Sequence, residues 1–259
     1  MPATPSTPRS GPRISTERRS DLARGYRTGS SRYDRVRPGY PEASADWLLP
    51  PGARTAADIG AGTGLFTRLL IQRELEVTAI DPSEDMLAVL RERLPAVRIL
   101  AGTAEETGLV PGSVDVVAIA QAWHWCDPEK AAVEAARVLV PGGTLAVLWN
   151  QLDVSIPWVH RLSRIMHAGD VYSPGYRPDF GPHFAEPESK QVKWSQALST
   201  SDVIDLARSR AYYQRADAAT RSKVERNLSW YLHDYLAFPA GAGLALPYFT
   251  SAWRARSET

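Results

Sequence analysis

The sequence predicts an α/β protein built on a doubly wound parallel sheet. A short run of small and apolar residues at 56–59 leads into glycines at 60, 62 and 64, and then into an apolar-periodic helix at 65–71. Glycines at such a turn allow positive φ and let a ligand approach the bare main chain. Strand and helix patterns then alternate as far as residue 149. This alternation is typical of a parallel sheet with helices on both faces, which binds ligands beyond the carboxyl ends of its strands.

The first part of the chain supplies most of the predicted strands. They lie at residues 56–59, 76–80, 97–100, 113–120 and 144–149, with helices at 43–49, 65–71, 83–94 and 128–140. Ser83 is a suitable N-cap for the helix at 83–94, and Glu84 and Asp85 suit the positive end of the helix dipole. These elements predict a sheet whose site lies at the turn that contains the glycines.

Beyond residue 150 the alternation weakens. We predict helices at 157–167, 201–213 and 219–236, and strands at 191–194 and 244–254. In the last helix, the residues expected on the buried side are Val224, Leu228, Tyr231, Leu232 and Tyr235. The strand at 244–254 contains Pro247, which is tolerable in an edge strand because such a strand can spare an N–H donor. Residues 170–187 are long for a connector and rich in proline and aromatic residues, which favours a variable cap over an active site.

Composition favours a soluble, cytoplasmic protein. The chain is 44% hydrophobic and 23% charged, and no segment approaches the roughly 18 apolar residues of a membrane span. No apolar leader segment is present near residue 1, so we expect no secretion. The single cysteine, Cys126, cannot form an internal disulfide.

Charge is distributed unevenly along the chain. Residues 1–37 carry nine arginines against three acids, a net of +6, so with an overall charge of +1 the remainder carries −5. That remainder offers no large basic footprint for a nucleic acid. We divide the chain into a disordered tail (1–19), an N-terminal lid (20–50), a ligand-binding core (51–150) and a cap with the C-terminal part of the sheet (151–259).

The segment from Asp58 to Gly64, Asp-Ile-Gly-Ala-Gly-Thr-Gly, resembles the first motif, D-x-G-x-G-x-G, of the class I S-adenosylmethionine-dependent methyltransferases. Dinucleotide-binding proteins instead use G-x-G-x-x-G, which would require glycine where Leu65 stands. Asp81 lies 21 positions after Gly60, where the acid that receives ribose hydroxyls closes the second strand. The turn at 102–105, which borders the adenine in this family, and the motif that begins at Gln121 follow in register.

The resemblance covers residues 33–150 well and 190–254 loosely. It implies a Rossmann-like methyltransferase fold with a mostly parallel seven-stranded sheet, in which the strand at 244–254 is the closing edge strand. It also implies S-adenosylmethionine as the cofactor. The residues that it implies as cofactor contacts are Tyr33, Arg37, Asp58, Gly60, Ala61, Gly62, Asp81, Pro82, Met86, Ala104, Glu105 and Gln121.

Three of these contacts, Tyr33, Arg37 and Met86, have open alternatives. The segment at 33–41 is similar to a Tyr…Arg-Pro-x-Tyr-Pro lid, in which Arg37 would meet the methionine carboxylate and Tyr33 would lie beside the methyl group. Alternatively, the segment is a packed arm with Arg37 in a surface salt bridge. Met86 would pack on the adenine ring or would fill the core.

The segment 121–127, Gln-Ala-Trp-His-Trp-Cys-Asp, is where we expect an acid–base residue. It is similar to a Q-A-x-H-W-F-D motif of one branch of these enzymes and departs from it at Cys126. Histidine is the side chain best suited to accept a proton near neutral pH, so His124 is the candidate base or substrate-orienting group. The alternative is a histidine that only holds the loop, since methyl transfer can proceed by alignment alone.

The resemblance implies methyl transfer to a small molecule, at oxygen or alternatively at nitrogen or carbon. Other possibilities on the same fold are an RNA or protein methyltransferase and a non-catalytic binding protein. We expect no metal site, because none of the five histidines has a convincing metal-ligand neighbour in the sequence. A short-chain dehydrogenase is disfavoured by the glycine spacing, and a serine hydrolase by the absence of a G-x-S-x-G elbow.

Overall fold

The computed structural model describes residues 35–168 and 176–258. The strands in these ranges are β1 (Thr55–Ile59), β2 (Glu76–Asp81), β3 (Arg98–Ala101), β4 (Val114–Ala120), β5 (Leu139–Leu152), β6 (Glu188–Ser199) and β7 (Gly243–Arg256). They form one seven-stranded sheet in the order β3-β2-β1-β4-β5-β7-β6. Strands β1 to β5 pair in parallel, and β7 is antiparallel to both of its neighbours. The predicted doubly wound, mostly parallel seven-stranded fold is therefore confirmed.

The helices flank this sheet. They are α1 (Glu42–Leu48), α2 (Leu65–Ile71), α3 (Glu84–Arg93), α4 (Pro128–Val138), α5 (Pro157–Ile165), α6 (Thr200–Arg208), α7 (Ala211–Arg215) and α8 (Ala218–Ser229), with a 3₁₀ turn at Trp123–Trp125 and a π-helical turn at Trp230–Tyr235. Ser83 caps α3 as expected, because its side chain accepts a hydrogen bond from the Met86 backbone N–H. In the part of the chain that the structure describes, no helix is both long and apolar enough to span a bilayer.

Alternate residues of the central strands supply two separate cores. On β4, Val117 and Ile119 are buried in the cluster that also contains α4, whereas Val116 and Ala118 are buried in the cluster that contains α2. This follows from the two-residue period of a strand, which points successive side chains to opposite faces. A third cluster lies beneath α5, α6 and α8 and includes Tyr248 of β7.

The strand order places a ligand crevice at the centre of the sheet. The chain runs outward from β1 through β2 to β3 and then returns to pair β4 with the other side of β1. Helices that follow β1 and β4 therefore diverge from this point, which opens a crevice at the carboxyl ends of the two strands. Both the glycine turn after β1 and the segment that contains His124 start there.

The expected edge position of the last strand is wrong. β7 lies inside the sheet between β5 and β6, and β6 is the edge strand. Pro247 is tolerated for a different reason: β5 ends at Leu152, opposite Tyr248, and the Pro247 carbonyl oxygen accepts a hydrogen bond from the Asp153 N–H beyond that end. The backbone N and C=O of a strand residue point to the same side of the strand, so the Pro247 nitrogen also points towards β5. Because β5 has already ended there, no ladder hydrogen bond is lost through the missing N–H.

The helices of the last third also differ from the prediction. The helix expected at 201–213 is interrupted, because Arg210 adopts an extended conformation between α6 and α7. The helix expected at 219–236 changes to a π turn, in which the Leu236 N–H donates to the Tyr231 carbonyl oxygen. Tyr231 and Leu232 are buried as expected, but Tyr235 falls outside the buried stripe and is 56% exposed.

Some of the expectations concern segments that the structure does not describe. The tail at 1–19 and Tyr33 lie outside the described residues, as do residues 169–175 of the expected cap. The described remainder of that segment packs on the core: Phe180 contacts Trp123 edge to face, and Phe184 is buried beside it. Residues 176–187 are absent from the wall of the cavity described below.

Candidate active site

A cavity of about 970 Å³ opens at the carboxyl ends of β1, β2, β4 and β5. The residues expected from the sequence that line it are Arg37, Asp58, Gly60, Ala61, Gly62, Asp81, Pro82, Met86, Ala104, Glu105, Gln121 and His124. The structure thus brings together every expected site residue except Tyr33, which it does not describe. Proximity does not assign their roles, which remain predictions.

The glycine turn after β1 forms the floor of this cavity. Gly60, Gly62 and Gly64 have φ values of 70°, 57° and 88°. A Cβ on Gly60 would lie 2.4 Å from the Cβ of Ala122, whereas a Cβ on Gly62 would meet no protein atom within 4 Å. Gly60 therefore allows two loops to pack, and the position of a Cβ on Gly62 is open space, through which a ligand could approach the main chain.

Asp81 ends β2 at the edge of the cavity. One carboxylate oxygen accepts a hydrogen bond from the Gly62 N–H at 2.9 Å, and the other accepts one from the Ser83 N–H at 2.8 Å. Burial raises the pKa of Asp81, and these two hydrogen bonds oppose the shift. An ionised carboxylate can accept about four hydrogen bonds, so capacity remains for ribose hydroxyls.

Asp58, at the end of β1, has one unsatisfied oxygen. Its Oδ2 accepts a hydrogen bond from Thr67 Oγ1 at 2.6 Å, while its Oδ1 has no partner among the described residues. The side chain is fully buried, and this burial raises its pKa to about 7. A buried carboxyl oxygen without a partner in a cavity wall fits a cationic group of a ligand, such as an ammonium.

The turns after β2 and β3 form the next part of the wall. Met86 is half-buried and belongs to none of the hydrophobic clusters among the described residues, so its environment is that of a cavity wall. Glu105 accepts a hydrogen bond from the Asp127 N–H at 2.8 Å, and this bond joins the turn after β3 to the segment that contains His124.

The segment after β4 is fixed from both sides. Gln121, the first residue after β4, has a φ of 56°. Two hydrogen bonds tie it to β5: its N–H donates to the Leu148 carbonyl oxygen at 2.8 Å, and its Nε2 donates to the Asn150 carbonyl oxygen at 3.1 Å. The His124 ring lies 4.8 Å from the Trp125 ring. Desolvation lowers the pKa of His124 to about 4. Its imidazole is therefore neutral at physiological pH and is a weak base.

The described part of the lid docks on the end of the sheet. Val36 is fully buried, and the Gly39 carbonyl oxygen accepts a hydrogen bond from Asn150 Nδ2 at 2.7 Å. Arg37 is half-buried in the cavity wall, where its Nη2 donates to the Ser209 carbonyl oxygen at 2.6 Å. Tyr40 packs edge to face on Phe66 of α2.

Sequence reasoning missed several residues in the cavity wall. These include Tyr40, Trp149, Asn150, Arg210 and Tyr248. Trp149 and Asn150 had a signal, because they stand at the carboxyl end of the strand predicted at 144–149, where the carboxyl ends of the other parallel strands meet. Arg210 and Tyr248 had none, since only tertiary packing brings them to this cavity. Among residues 35–168 and 176–258, no three His, Cys, Asp or Glu side chains converge as metal ligands.

The strand order and the glycine floor of the crevice define a Rossmann-like methyltransferase domain. A family model described as a methyltransferase domain matches residues 57–147. An uncharacterized methyltransferase of Mycobacterium tuberculosis is 42% identical over 238 residues, which are 92% of this chain and 97% of that protein. The chain belongs to this family of S-adenosylmethionine-dependent methyltransferases.

Solved structures support the same fold. A candidate type II methyltransferase from Anaeromyxobacter dehalogenans is 26% identical and superposes with a TM-score of 0.64, covering 85% of this chain and 97% of that one. A phosphoethanolamine N-methyltransferase from Haemonchus contortus, in complex with S-adenosylhomocysteine, superposes with a TM-score of 0.57 at 19% identity. It covers 92% of this chain and 59% of that one, and it is similar in fold alone.

Proposed function

We propose that this methyltransferase binds S-adenosylmethionine across β1, β2 and β3 and transfers its methyl group to a small molecule held near β4, β5 and β7. The observation that carries the proposal is a single cavity with two kinds of wall. One side has the glycine floor and the carboxyl groups of Asp58 and Asp81, and the other has aromatic and basic side chains that include Trp149, Arg210 and Tyr248. Its volume, about 970 Å³, lies at the upper end of the range of small-molecule sites, roughly 300–1,000 Å³.

The residues fit the cofactor in five places. Gly62 leaves its space open, Asp81 has acceptor capacity for the ribose hydroxyls, and Asp58 Oδ1 needs a partner that an ammonium group supplies. Met86, Pro82, Ala104 and Glu105 would border the adenine, and Arg37 and Gln121 would hold the methionine end. The cofactor supplies an activated methyl group on a sulfonium, so the chain has to supply mainly binding and alignment.

We assign His124 to the acceptor, as the orienting group. A pKa of about 4 leaves the imidazole neutral and able to accept a hydrogen bond at pH 7, but makes it a poor proton acceptor. The net charge of −5 on residues 38–259 supports a small molecule over a nucleic acid. The single cysteine supports a cytoplasmic setting.

The test has two stages. Calorimetric titration of the full chain with S-adenosylmethionine, S-adenosylhomocysteine and NADH should show binding of the first two alone. Incubation with methyl-labelled donor and a panel of small carboxylic acids, phenols and amines should then show transfer to a subset. Transfer to RNA or protein and to no small molecule would contradict the proposed substrate class, and binding without transfer to any acceptor would indicate a non-catalytic protein.

A further inference from the structure

The acceptor side of the cavity contains a buried hydroxyl that the protein leaves unsatisfied. Tyr248 lies on β7, where its ring stacks on Trp194 with 5.2 Å between centroids, and the residue is 2% exposed. It lines the cavity, and its Oη has no hydrogen-bond partner among the described residues. Burial of a hydroxyl without a partner is costly, so this group points to a ligand that supplies the partner.

Among the residues that the structure describes, the charges that act on this hydroxyl are those of Arg210 and Arg37, both positive. The hydrogen bond from Arg37 to the Ser209 carbonyl oxygen brings Arg37 beside the next residue, Arg210, and both arginines line the cavity. Burial raises the pKa of Tyr248 to about 12, although the charges of Arg210 and Arg37 oppose the shift. The phenol therefore stays protonated and can donate, and arginine side chains have no acceptor atoms. The group that fits among these donors is an oxyanion.

The acidic residues of the cavity wall are not the charges that act on the Tyr248 hydroxyl. They are Asp58, Asp81, Glu84, Asp85, Glu105 and Asp127. None of them is among the charges that shift the pKa of Tyr248, whereas Asp58 does raise the pKa of Tyr40. Asp58 and Asp81 lie at the ends of β1 and β2, whereas Arg210 and Arg37 are the charges that act on Tyr248 of β7, so an ammonium group and an oxyanion fit different parts of the cavity.

We propose that Arg210 and Tyr248 bind a carboxylate of the methyl acceptor, so that the substrates are small organic acids. This inference rests on the function proposed above. Arg37 is the arginine proposed above for the methionine end of the cofactor, and Arg210 is the one assigned to the carboxylate of the acceptor. Arg210 and Tyr248 bind and orient the substrate.

The experiment compares acids with their neutral amides. The full chain, saturated with S-adenosylhomocysteine, is titrated with succinate and 3-phenylpropionate and with the corresponding amides. The variants are Tyr248→Phe and Arg210→Gln, and the matched controls are Tyr231→Phe and Arg215→Gln. Tyr231 lies in the same hydrophobic cluster but donates its hydroxyl to the Trp158 carbonyl oxygen at 2.9 Å, and Arg215 is exposed; neither lines the cavity.

We expect at least one acid to bind the wild-type complex about tenfold or more tightly than its amide, since a hydrogen bond to a charged group has this magnitude. Tyr248→Phe and Arg210→Gln should each remove most of this preference, and the controls should keep it. S-Adenosylhomocysteine should bind all five proteins alike.

Two results would overturn the inference. If both variants lose affinity for S-adenosylhomocysteine but keep it for 5′-methylthioadenosine, which lacks the amino-acid carboxylate, then the pair binds the cofactor. If the wild-type complex binds acids and amides equally, or binds neither, the site does not select a carboxylate. Failure of the proposed function would be visible earlier, because wild-type protein would then not bind S-adenosylhomocysteine at all.

Discussion

At the scale of single residues, the protonation of Asp58 should make both stability and ligand affinity depend on pH. Its pKa is raised to about 7 by burial, so the carboxyl is largely protonated below that pH in the free protein. A folded-state pKa above the unfolded value means that this group lowers stability as pH rises from about 4 to about 7. An ammonium group of the cofactor would favour the ionised form and would release the proton.

We therefore expect the affinity for S-adenosylhomocysteine to rise between pH 5.5 and about 7 and to level off above that range. Calorimetry at pH 6 in two buffers of different ionisation enthalpy should detect proton release in the wild-type protein. Asp58→Asn, which cannot ionise, should bind without this release. Equal proton release in the variant, or an affinity that is independent of pH in the wild-type protein, would contradict the assignment of Asp58.

His124 makes a second prediction at this scale. Because desolvation lowers its pKa to about 4, no rate limb from this histidine should occur between pH 6 and pH 7. His124→Asn should lower turnover about tenfold and leave the affinity for S-adenosylhomocysteine unchanged, as expected for an orienting hydrogen bond. A loss of roughly 10²- to 10⁴-fold, with a wild-type acid limb near pH 4 that the variant lacks, would instead identify His124 as a general base.

At the scale of elements, we expect the turn between β1 and α2 to contain one glycine that the fold requires, Gly60, and one that ligand binding requires, Gly62. Gly62→Ala should weaken S-adenosylhomocysteine binding at least tenfold with the fold retained, because the new Cβ projects into empty cavity space. Gly60→Ala should destabilise the protein, because the new Cβ would lie 2.4 Å from that of Ala122. Titration and thermal melting of both variants measure the two effects.

Gly108→Ala is the matched control for backbone strain. Gly108 has a φ of 74°, its Cβ would also meet nothing within 4 Å, and it lies outside the cavity wall. Its substitution should cost stability comparable to Gly62→Ala without any effect on binding. If Gly62→Ala bound the ligand as well as this control does, Gly62 would be only a turn residue.

The helices and strands also differ in how well sequence patterns predict them. Strands β1, β2 and β4 and the helices between them were predictable, because short apolar runs and helical periodicity are local signals. The interior position of β7 was not, because Pro247 indicates only that a donor is missing and not which neighbouring strand has already ended. Tyr235 was misplaced because its exposure depends on a π turn that the α-helical period does not anticipate.

At the scale of the whole molecule, the lid contributes to both core and cavity. Deleting residues 2–19 should leave melting temperature and ligand affinity unchanged, because that segment has too few apolar residues to pack. Deleting residues 2–41 should lower both, since it removes the buried Val36, the Gly39 partner of Asn150 and the Tyr40 contact with Phe66. Loss of activity after the shorter deletion would mean that the N-terminal arginines serve the substrate or a partner.

The site itself divides in the same way as the fold. The side proposed for the cofactor was predictable, since its residues follow consecutive parallel strands and their spacing along the chain mirrors their positions in the sheet. The side proposed for the acceptor was not, since Arg210 and Tyr248 come from an interrupted helical region and an antiparallel strand, and only packing brings them beside Arg37.

The central claim is that this cavity binds the methyl donor through the acid at the end of β2. Calorimetric titration of wild-type protein and Asp81→Ala with S-adenosylhomocysteine tests it most directly. Loss of a carboxylate that accepts two ribose hydroxyls should cost about 2 kcal/mol, roughly thirtyfold in affinity. Binding of one ligand per wild-type chain, weakened by that factor in the variant, is the predicted result. No binding to the wild-type protein, or equal affinity in both proteins, would contradict the claim.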